Sequence, residues 1–133
     1  MAKQRMRRGE NPREPEAVVL RTGELDENTL RRDAEKNFEI YGFYGLSVWV
    51  PGSAAELDAL LANKLKAAAE VIRFAAGDLY ARGLDLWDTG QYPHYDGVYL
   101  VGDSLDGLVA AFLSAPRTVL VNQRYDPEGD PER

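Results

Sequence analysis

The 133 residues, 44% hydrophobic and 29% charged with a net charge of −6, make one ordinary domain with enough apolar residues to build its own core. The chain has no cysteine and one histidine, which excludes a disulfide framework, thiol catalysis, iron–sulfur clusters and cysteine zinc sites. No run approaches the roughly 20 apolar residues that span a bilayer, and no apolar run follows the basic start as in a secretory signal, so a cytoplasmic protein without membrane contact is expected.

Residues 1–16 read as a disordered polar arm with Pro12 and Pro15. Lys3, Arg5, Arg7 and Arg8 precede the first acid, Glu10, so nucleic-acid contact is expected only here, where cations can meet phosphates. A solubilising role is the simpler reading of such a charge run. Residues 17–125 form a single globular domain. Asp126, Glu128, Asp130 and Glu132 make residues 126–133 a flexible acidic tail.

Ala17-Val18-Val19-Leu20-Arg21 is a short apolar, β-branched run, a buried strand closed by Thr22-Gly23. From Asp26 the pattern is helical, with Leu30, Ala34, Phe38 and Tyr41 on one stripe and Gly42 as the stop. Phe43 to Val50 is aromatic and β-branched, a central strand ended by Pro51-Gly52. Ser53 and Glu56 form a capping box ahead of Leu57, Leu60, Leu61 and Leu65.

Residues 68–82 have two readings. Ala68, Ile72, Ala75 and Leu79 keep helical spacing, which would carry one helix from Ser53 to about Arg82 with Gly77 inside it. That is too long for this domain. A break near Ala67, a strand over 70–76 and a short helix ending at Gly83 is preferred. A loop then runs to Gly97. Gly97 to Gly102 is a strand, Ser104 caps a helix that ends at Ala115-Pro116, and Arg117 to Gln123 is the last strand. The expected fold is α/β (α+β), a single mixed sheet of about 4–6 strands with 2–4 helices packed on it.

No phosphate-binding glycine loop is present, and no cofactor is expected. Gly45-Leu46-Ser47-Val48-Trp49 lacks the second glycine of a nucleophile elbow. Magnesium could draw on Asp85, Asp88, Asp96, Asp103 or Asp106, but loop aspartates more often cap helices and shape turns. No metal site is expected.

Three groups of residues could carry function. His94 titrates near neutrality, and in an extended segment Asp96 shares its face. Arg21 at a strand end can fork onto a phosphate or carboxylate, and Ser47 is a small polar residue in a bulky strand. Trp87, Tyr92 and Tyr95 crowd a polar segment that cannot bury them all, as interaction surfaces do.

Val19-Leu20-Arg21-Thr22-Gly23 and Gly45-Leu46-Ser47-Val48 resemble the mono-ADP-ribosyltransferase fold. In that family a first-strand arginine and a second-strand serine flank a nicotinamide dinucleotide, so the resemblance implies a small nucleotide ligand near Arg21 and Ser47. It covers two short segments. Where the family carries Glu-x-Glu or Gln-x-Glu, this chain has Gln123 followed by Tyr125.

The leading expectation is a small binding or accessory module, regulatory, antitoxin-like or immunity-like, that meets a protein partner through an aromatic surface over residues 87–96. The alternative is a small nucleotide-handling enzyme using Arg21, Ser47, His94 and Asp96.

Overall fold

The computed structural model describes residues 7–8, 14–23, 25–88 and 98–126, with the side chains of Arg7, Arg8 and Asp88 left aside. In chain order the elements are β1 (Arg7–Arg8), β2 (Val18–Arg21), α1 (Glu27–Tyr41), β3 (Gly45–Val48), α2 (Ala54–Ala62), β4 (Glu70–Ala75), α3 (Ala76–Tyr80), β5 (Asp85–Asp88), β6 (Val98–Val101), α4 (Leu105–Ser114) and β7 (Thr118–Val121).

Local chemistry explains where the helices begin and end. The Asp26 carboxylate accepts from the Thr29 N–H at 2.9 Å and the Thr29 hydroxyl at 2.7 Å, capping α1. Gly42 closes α1 at φ 84°, a left-handed conformation that glycine adopts without steric cost. Ser53 Oγ accepts the Glu56 N–H as a capping box requires, but Glu56 reaches the N–H of Gly52 rather than that of Ser53. Ser104 caps α4 through the Gly107 N–H. Arg117 donates to the carbonyls of Phe112, Leu113 and Ala115 at the end of α4, with its guanidinium 5.3 Å above the Phe74 ring.

Between residues 68 and 82 the chain takes the broken path, β4 followed by the one-turn α3. Gly83 at φ 82° then turns it into β5, a strand absent from the sequence reading.

All strand pairs are antiparallel, in two sheets of order β1-β5-β6-β3 and β2-β4-β7. The expectation of one mixed sheet is therefore corrected: the fold is α+β, and the described residues form four helices and two sheets. They meet at one bridge, where Leu20 and Trp49 exchange backbone hydrogen bonds of 2.8 and 3.0 Å. Pairing stops there for two reasons. Gly23, at φ 87°, swings the chain away just beyond β2, and side chains already occupy the next backbone groups of β3.

Each sheet has two working faces. Leu46, Leu86 and Leu100 of the first sheet and Val19 and Phe74 of the second join Leu30, Ala34, Leu108 and Phe112 in the main core. The reverse face of the second sheet buries Leu20 and Val71 against Leu60, Leu61 and Leu65 from α2 and the turn after it. Gly102 lets β6 approach α4, since a Cβ there would stand 2.9 Å from that of Leu108.

Candidate functional site

Arg21 and Ser47 do come together. Arg21 ends β2 with its side chain buried, and its Nη1 donates to the Ser47 carbonyl at 2.8 Å and to Asp33 Oδ2 at 2.9 Å. Asp33 Oδ2 also accepts the Ser47 N–H at 2.9 Å, while Oδ1 accepts from the Ser47 hydroxyl at 3.3 Å and from Asn37 Nδ2 at 3.2 Å. Asn37 Nδ2 also donates to the Gly45 carbonyl at 2.7 Å.

These bonds follow the free edge of β3. Its other edge is taken by β6, so the Gly45 carbonyl and both backbone groups of Ser47 would need a further strand. Asp33 and Asn37, one turn apart on α1, supply the missing partners together with Arg21. Helix side chains thus stand where a backbone would. The carboxylate has four donors and the arginine nitrogen two acceptors, so this cluster serves as a clip between β2, α1 and β3. Arg21 Nε is buried without a hydrogen-bond partner.

Asp33 and Asn37 are not among the residues that the sequence singles out. Their signal was faint: polar residues at i and i+4 beside the stripe of Leu30, Ala34 and Tyr41, where solvent exposure is the ordinary outcome.

The aromatic residues gather on the outer face of the first sheet. Trp87 on β5 stands beside Tyr99 on β6. Its indole N–H donates to Asp85 Oδ2 at 3.1 Å, and its ring meets Phe43 edge-on with centroids 4.5 Å apart. Tyr99 lies against Tyr41, with ring centroids at 4.9 Å and hydroxyls at 2.9 Å. Apart from this cluster, Phe38 stacks on Tyr44 with ring centroids at 4.4 Å, and Tyr44 packs against the main core. Phe43 is 39% exposed and Phe38 44%. Large rings left open at a sheet face suit a partner surface, since they offer apolar area at little side-chain entropy.

His94, Asp96, Tyr92 and Tyr95 lie outside the described residues, in the connection between β5 and β6. Among the described residues no group of three acidic or histidine side chains could hold a metal ion. Asp85 accepts from the Leu86 N–H and from Trp87, and Asp106 pairs with Arg31. Two clefts of about 320 and 330 Å³ open elsewhere, one around Arg73, Asp78 and Arg117, the other around Glu16, Pro51 and Leu57. Neither is lined by Arg21, Ser47 or the aromatic cluster.

Comparison with protein-family models, curated proteins and solved structures finds no match.

Proposed function

We propose that this chain is a small cytoplasmic binding module, of the accessory, regulatory, antitoxin or immunity kind, that holds a protein partner on the aromatic face around Trp87. The observation that carries this reading is the exposed ring of Phe43 set on the half-buried Trp87, which stands beside the half-buried Tyr99 and, beneath it, the buried Tyr41. The connection bearing Tyr92 and Tyr95 springs from the same two strands. Trp87 is the centre of the proposed surface, and Tyr92 and Tyr95 are assigned to it from their place in the sequence. The lack of cysteine suits a reducing compartment.

The test starts by capturing the partner with the tagged protein and measuring its affinity by calorimetry. Phe43→Ala, and separately the double change Tyr92→Ala with Tyr95→Ala, should each weaken binding at least tenfold, about 1.4 kcal/mol, with the thermal midpoint nearly unchanged. Undiminished binding by both variants overturns the proposal. A collapse of the midpoint instead makes the rings core residues.

The enzymatic reading draws support from the meeting of Arg21 with Ser47, yet it needs an arginine free to fork onto a substrate. The bonds to Asp33 and the Ser47 carbonyl compete for that fork. Binding of a dinucleotide that Arg21→Lys abolishes, with the fold retained, would favour it over the binding module.

A further inference from the structure

Among the described residues β7 is the outer strand of the second sheet, with β4 on one side and no strand on the other. The Asn122 N–H donates to the Ala69 carbonyl at 2.9 Å, and this fixes the alternation of the ladder. Leu120 and Thr118 therefore direct their backbone groups toward β4, while those of Val119 and Val121 point outward. The same two residues carry the most exposed large hydrophobic side chains of the described residues, Val119 at 55% and Val121 at 58%. Unpaired backbone and unburied side chain thus coincide at both positions.

The usual protections of a free edge are missing from Thr118–Val121: no lysine, no proline, no inward charge. Among the described residues, 122–126 do not fold back over it. Arg124 pairs with Asp58 on α2, and the Asp126 N–H donates to the Lys66 carbonyl, so residues 122–126 cross toward the opposite face of the sheet.

We infer that β7 pairs with β7 of a second copy of this chain, antiparallel about a two-fold axis through Leu120. That register sets Val119 opposite Val121 of the other copy, and the outward N–H and C=O groups of both residues then match. On one face the apolar row Ile72, Val119 continues into Val121 of the second copy, and the two-fold repeats it. On the other face the two Leu120 side chains meet, each continuous with Val71 and the cluster under α2. Arg117 falls opposite Gln123 of the second copy, so no like charges face each other across the seam. Backbone matching of this kind is open to any strand, and it is the apolar match of Val119, Leu120 and Val121 with their own copies, without opposed like charges, that selects a second copy. The product is one six-stranded antiparallel sheet.

Sedimentation of the unmodified protein at up to about 100 µM tests this, because a Kd of about 10 µM leaves most chains paired there. Twice the chain mass is expected, with pairing strengthened by added salt because each copy carries −6. Val121→Lys should return the chain to its single mass with an unchanged circular dichroism spectrum. Leu120→Cys, in a protein without native cysteine, should form an intermolecular disulfide under mild oxidation, since the Cα atoms of such a non-hydrogen-bonded pair lie about 4.5 Å apart, within disulfide reach. Ala110→Cys, exposed on α4, should not. A single-mass protein at every concentration overturns the inference, whether another segment of the chain or a foreign strand covers the edge. A dimer that survives Val121→Lys or crosslinks only through Ala110→Cys overturns it equally.

Discussion

Asp33 shows how much one ordinary side chain can decide. It sits one fifth exposed against an arginine that is only 7% exposed, and its loss would strand both that guanidinium and the Ser47 N–H. Removing one member of a buried pair generally costs more than the pair contributes, because the survivor keeps its desolvation penalty. Asp33→Ala should therefore lower unfolding stability by about 3 kcal/mol in a urea titration. Arg21→Ala combined with Asp33→Ala should cost less than the two single changes added together. Additive losses would show that the two groups do not act as one clip. Arg21 and Ser47 were legible in the sequence as a pair, since each is unusual for its strand. Their joint role was not, because it depends on two helix residues that look like surface.

Among the elements, caps were the easiest features to read. Asp26, Ser53 and Ser104 each mark a helix start through a side-chain oxygen that must sit next to its own amides, a purely local requirement. The α1 cap also carries a pH signature. Hydrogen bonds from the Thr29 side chain and backbone hold the Asp26 carboxyl below its usual 3.8. Its contribution is complete above that value and is lost as pH falls through the lower folded-state value. Asp26→Ala should thus melt below the parent at pH 6, with the gap closing in melts taken progressively below pH 3.8. A gap independent of pH would mean that the charge takes no part in the cap. β5 was hidden for the converse reason. Four residues between a one-turn helix and a polar connection carry too little periodicity to be told from a loop, and only the pairing with β6 makes them a strand.

For the molecule as a whole, the division into two sheets could not be read from local pattern, because beside the turn at Gly23 the ladder is interrupted by side chains of α1 that no local pattern marks. Both sheets nonetheless feed one core, Phe74 from one and Leu100 from the other, so they should unfold together. The two tryptophans report on the two sides: Trp49 packs in the cluster under α2 and Trp87 in the outer aromatic cluster. Trp87→Phe and Trp49→Phe each leave a single probe, and the two fluorescence transitions should share one urea midpoint with circular dichroism once each variant's own stability is allowed for. Separate midpoints within one variant would mean that the sheets are independent folding units.

The amide of Asn122 donates to the carbonyls of Leu61, Leu65 and Ala68, and its own oxygen accepts from the Arg124 N–H. One late residue therefore closes a turn laid down more than fifty positions earlier. While the chain is being synthesised, the end of α2 and the open side of β4 must wait for residues 118–122 to arrive. A ribosome that stalled before then would leave a nascent chain with an apolar strand and three carbonyls exposed, the kind of surface that chaperones hold and proteases cut.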